Sequence, residues 1–159
     1  MQIEDSVVKG YHEYRIAPPL ALELVLQPEY DNIHDKDAIL VWMPSIKDEN
    51  VLNEKTSQGL YVKDLVDPVP LIIGHVPRGL AAVFRQFLDE KYSLTCVATG
   101  KPIPSFPPWP HLSEKGGGVV IPCTYKIYCE KNQIGDVISR VRNIIPIVKG
   151  GDAMKLSIA

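Results

Sequence analysis

The stretch Leu26-Gln-Pro-Glu-Tyr-Asp-Asn-Ile-His-Asp-Lys-Asp-Ala-Ile39 sets a polar loop, rich in carboxylates and a carboxamide, between two apolar runs. On its N-terminal side Leu22, Leu24 and Leu26 alternate with Ala21, Glu23 and Val25. That period of two predicts a strand with one buried face and one mixed face. On its C-terminal side Ala38 to Trp42 is a continuous apolar run of strand length, stopped by Pro44. A polar loop held between two strands is where a rigid scaffold commonly carries its binding residues.

Working outward, Val7 to Tyr14 is rich in Val and Tyr and predicts a first strand, ended by Pro18-Pro19. Lys47 to Pro70 is polar and closes on Asp67-Pro68-Val69-Pro70, so it reads as a long inserted loop with room for a short helix around Val62 to Val66. Leu71 to Val76 predicts a strand, and Pro77 suits the first turn of a helix. Leu80, Val83, Phe84, Phe87 and Leu88 then recur at helical spacing and give Leu80 to Asp89 an apolar stripe. Ser93 to Thr99 predicts a strand, followed by an extended proline-rich loop, Pro102 to Pro110, around Phe106 and Trp109. Val119 to Cys129 predicts a long last strand, and Asp136 to Ile144 a second helix with Val137, Ile138, Val141 and Ile145 facing inward. Met154 to Ile158 is a candidate edge strand.

The 159 residues, 45% hydrophobic and 23% charged, fit one domain spanning residues 1–159, with 47–70 as an insertion and 130–159 as a C-terminal helix and tail. No run of about eighteen apolar residues is present, so no membrane partner is expected. The N-terminus also lacks the layout of a signal peptide, which places the expected location inside the cell, nuclear or cytoplasmic. Cys96, Cys123 and Cys129 contain no Cys-x-x-Cys and are read as reduced thiols on strands. The histidines at 12, 34, 75 and 111 show no metal-ligand spacing, and Gly116-Gly117-Gly118 leads into a strand rather than a phosphate-binding helix. No metal, no cofactor and no catalysis are therefore expected. A net charge of −2 and a pI near 6.1 argue against binding duplex DNA through a broad basic face.

Three places carry candidate chemistry. Asn32, His34 and Asp35 combine donors and acceptors suited to a neutral hydrogen-bonding group such as a sugar hydroxyl; the same residues also fit an Asx-type turn that satisfies its own backbone. The turn at Gly74 to Gly79 is expected to put backbone N–H groups, together with His75 and Arg78, at a helix start, an arrangement that attracts anions. Lys9, Tyr11, His12 and Tyr14 interleave cations and aromatic rings, as surfaces that stack single-stranded bases do. A different reading makes the chain a protein-interaction adaptor, docking through the 47–70 insertion and the Pro102 to Pro110 segment.

The loop resembles the signature of the HIRAN domain, a small β-barrel module fused to some DNA repair and remodelling helicases. Leu26, Glu29, Asn32, His34, Asp35, Ala38 and Ile39 match without a gap, and Ile73-Gly-His-Val-Pro-Arg78 resembles the family's second signature, a strand ending in Gly-His before a helix. The likeness covers Val7 to Tyr128. It implies a mainly β fold with two helices, a six-stranded, partly open barrel of the OB or SH3-like kind. It also implies a non-catalytic module that captures the free 3′ end of single-stranded DNA. On that reading Asn32, His34 and Asp35 hold the terminal nucleotide, His75 and Arg78 stand at phosphate-contacting positions, and the terminal base stacks on an aromatic ring, Tyr11 or Tyr14 with His12 beside them, or Phe106 or Trp109 in their place. Pro28 stands where the pattern has Arg, and Val119 where it has an aromatic residue.

Overall fold

The computed structural model describes residues 1–11, 15–43, 55, 59, 71–105, 118–147 and 154–158. These form a mainly β fold: β1 (Gln2–Val8), β2 (Glu23–Pro28), β3 (Ile39–Met43), β4 (Leu71–His75), β5 (Ser93–Ala98), β6 (Ile103–Pro104), β7 (Val119–Tyr128) and β8 (Lys155–Ser157). Helix α1 (Arg78–Asp89) follows β4, and α2 (Ile134–Ile144) follows β7 through a single 3-10 turn at Lys131–Gln133. Every strand pairing is antiparallel, in the order β4-β3-β2-β5-β7-β1-β8, with β6 added to β7.

The sheet curls into an open half-barrel. Its curl brings the end of β1 against the end of β4, where Lys9 and His75 exchange backbone hydrogen bonds of 2.9 and 2.8 Å. Gly74 makes that approach possible, because a Cβ there would stand 2.2 Å from the Lys9 carbonyl oxygen. The alternation in β2 appears as expected, with Leu24 and Leu26 buried and Glu23, Val25 and Gln27 exposed.

The concave face is closed by α1, which buries Leu80, Ala81, Val83, Phe84 and Phe87. Burying each such large side chain contributes about 1.5–3 kcal/mol, an upper range because the unfolded chain is itself partly collapsed. Phe84 meets the fully buried Tyr125 edge-on at 5.2 Å, and the Tyr125 hydroxyl donates to the Val7 carbonyl at 2.8 Å. Helix α2 buries Val137 and Val141. Cys96 and Cys123 are buried and free, and Cys129 is half-buried. Burial, with the Cys123 neighbour adding to it, pushes the Cys96 thiol well above its usual range, so it stays protonated.

The first strand departs from expectation. It spans Gln2–Val8 rather than Val7 to Tyr14, because Gly10 turns the chain with φ at 93°, after which the Arg15 N–H donates to the Tyr11 carbonyl at 2.7 Å. Asp5, with φ at 55°, sits in a bulge between Ile3 and Ser6 that hides the alternation of β1 from the sequence. The described residues hold eight strands rather than six, the additions being the short β6 and the tail strand β8 on β1. The 47–70 insertion except for Lys55 and Gly59, the Val62 to Val66 helix, and residues 106–117 with Phe106, Trp109 and His111 lie outside the described residues. So do His12 and Tyr14. No helix among the described residues is long and apolar enough to cross a membrane.

Candidate functional site

The polar loop from Glu29 to Asp37 links β2 to β3, and its closure follows from its own side chains. The Glu29 N–H donates to the Ala38 carbonyl at 2.9 Å and the Ala38 N–H to the Asp35 carbonyl at 3.2 Å. Inside that frame Asn32 Oδ1 accepts from the backbone N–H groups of His34 and Asp35, at 2.9 and 3.0 Å. Asp35 Oδ1 likewise accepts from the Asp37 N–H at 3.0 Å. The Asx turns weighed above are therefore formed. They fix the carboxamide and the carboxylate in one orientation without exhausting them, since each carboxylate oxygen has two acceptor positions and the amide two donors.

Strand β4 then delivers the second half. Its last residue, His75, places Nε2 2.8 Å from Glu29 Oε2, and the same carboxylate oxygen accepts from Asn32 Nδ2 at 3.1 Å. Partial burial, the largest influence on Glu29, raises its pKa; the hydrogen bonds from Asn32 and His75, together with the His75 charge, outweigh it and hold the carboxyl below its usual value. One residue into α1, Arg78 Nη2 donates to the His34 carbonyl at 3.1 Å, with Nε 3.5 Å from Asp35 Oδ2. Its side chain is 78% exposed, so most of its fork faces solvent. Helix α1 has no side-chain cap and no acidic residue in its first turn, which leaves its dipole uncompensated beside Arg78.

The structure thus brings Asn32, Asp35, His75 and Arg78 into one network with Glu29 at its centre. His34 enters through its backbone, its side chain exposed. Tyr11 lies past the end of β1, half-buried and packed against the core. Sequence reasoning overlooked Tyr30 and Arg85: the Arg85 guanidinium lies over the Tyr30 ring, 4.6 Å from its centroid. The available signal was an aromatic residue standing alone in a polar loop.

Glu29, Asp31, Asp35, Asp37 and Asp89 stand against Lys9, Lys36, Arg78 and Arg85, so the patch carries no excess of positive charge apart from His75. Such a surface offers hydrogen-bond geometry more than net charge. Among the described residues no group of His, Cys, Asp and Glu could hold a metal ion. No family model, no curated protein and no solved structure matches the chain.

Proposed function

We propose that this chain is a non-catalytic, HIRAN-like module, its half-barrel of the OB-like kind, that grips the free 3′-hydroxyl end of single-stranded DNA as an accessory in DNA repair or remodelling. The observation that carries the reading is the 2.8 Å contact between Glu29 and His75, 46 residues apart, which joins the loop to the helix start. A terminal sugar hydroxyl both donates and accepts. Asp35 offers it an acceptor and the Asn32 amide a donor, while Arg78 and the uncapped start of α1 face the adjoining phosphate. A patch without excess positive charge is poorly suited to following a phosphate backbone and leaves recognition to the uncharged terminal hydroxyl; it equally suits a protein-docking surface, the outcome that the adaptor reading expects.

The test is fluorescence anisotropy with a short linear strand and its covalently closed circle. The linear strand binds and the circle does not, and Asp35→Ala or Asn32→Ala weakens binding about tenfold, the loss expected when one hydrogen bond to a charged or well-placed polar group disappears. Equal affinity for circle and linear strand would overturn the reading.

A further inference from the structure

Tyr30 is 76% exposed on the loop, yet its ring is not left loose. Arg85 beneath it is only 17% exposed: Nη1 donates to the Lys36 carbonyl at 3.2 Å and Nε stands 3.6 Å from the Asp89 carboxylate, one helical turn on. One hydrogen bond to the loop and a longer ion pair within the helix hold the guanidinium, its buried Nε making no hydrogen bond, and the guanidinium lies against the ring at 4.6 Å from its centroid. Ile33, 90% exposed, is a second apolar side chain of the same loop. A large aromatic face kept in water and backed by an anchored cation contributes little to folding. It is an arrangement on which a flat base stacks with small loss of conformational freedom.

We propose that Tyr30, backed by Arg85, is the stacking platform for the base at or next to the 3′ terminus of the strand held by Asn32 and Asp35. The proposal rests on the end-binding reading and gives that site its aromatic surface, which neither Tyr11, packed against the core, nor the polar network itself supplies. The ring stacks on any base face, so the platform holds strands of different terminal base with similar affinity.

The experiment compares two short 3′-hydroxyl strands, one with an ordinary terminal nucleotide and one with an abasic terminal residue, against the native chain, Tyr30→Ala and Tyr30→Phe. Tyr30→Ala is expected to weaken the ordinary strand about tenfold and the abasic strand little, while Tyr30→Phe retains affinity. A 2-aminopurine in the terminal position is expected to lose fluorescence on the native chain and to keep more of it on Tyr30→Ala. If Tyr30→Ala binds the ordinary strand as tightly as the native chain, the platform is overturned while end-binding stands, and the ring belongs to a protein contact instead. Equal loss on both strands overturns it too, because the ring then shapes the loop rather than touching a base. A native chain that binds neither strand overturns both proposals.

Discussion

Among the described residues two arginines lie over aromatic rings, one from each helix, and they do opposite things. Arg140 of α2 stands 5.3 Å from the centroid of Phe87, a ring with no exposed surface. Its guanidinium is held by both oxygens of Glu90, at 2.5 and 2.8 Å, and by Asp136 at 2.8 Å. The Glu90 hydrogen bonds first, and then Asp136, push its pKa above even the usual arginine value. That cation seals the margin of the core between α1 and α2. Arg85 of α1 is held more loosely, by one hydrogen bond of 3.2 Å and an ion pair at 3.6 Å, and its ring, Tyr30, faces water. The same cation–ring pairing thus closes the fold where the ring is buried and prepares a surface where it is not.

The comparison breaks most visibly in stability measurements. Phe87→Ala removes a fully buried ring and is expected to cost about 3–5 kcal/mol in urea unfolding, whereas Tyr30→Ala stays within about 0.5 kcal/mol. A similar cost for both would show that Tyr30 belongs to the core after all. Gly74→Ala comes next. Its new Cβ would meet the Lys9 carbonyl at 2.2 Å, so a loss of about 1–3 kcal/mol is expected, along with weaker strand binding as His75 is displaced from Glu29.

A smaller effect follows from acid. The Glu29 pKa is lowered in the folded chain, so its contribution is present above the unfolded carboxylate value, about 4.3, and is lost as pH falls through the lower folded value. The stability gap between the native chain and Glu29→Gln, followed by urea midpoints, is expected to be larger at about pH 5 than at about pH 3. A gap that widens toward acid would contradict the network drawn around Glu29. The smallest effect concerns salt: with so few free cations at the notch, the slope of log affinity against log salt is expected to be only about −1 to −2. A slope several times steeper would mean that a basic face, and not the notch, holds the strand.

How much of this was legible depended on whether the determining contacts were local. Helix α1 was readable because Leu80, Val83, Phe84 and Phe87 repeat at helical spacing and all bury as that spacing requires. Strand β2 was readable for the same reason at period two. Strand β1 was misplaced because the Val and Tyr content of Val7 to Tyr14 masks Gly10, while the bulge at Asp5 scrambles the alternation of Gln2 to Ser6. Strand β6, Ile103–Pro104, was hidden in a proline run whose composition gives no strand signal. At the site, Asn32, Asp35, His75 and Arg78 were each readable as candidates from residue type and position. The Glu29–His75 link and the Arg85–Tyr30 pair were not, since both depend on the curl of the sheet, which no local spacing encodes.

The central claim is that a hydroxyl terminus, not a phosphate backbone, is what the notch recognises. Its most direct test is the affinity of one short single strand carrying either a 3′-hydroxyl or a 3′-phosphate, measured side by side at fixed salt. The hydroxyl strand is expected to bind and the phosphate strand to bind at least about tenfold more weakly, because the phosphate removes the donor that Asp35 accepts and sets two anions face to face. Equal affinity for the two strands would contradict the account.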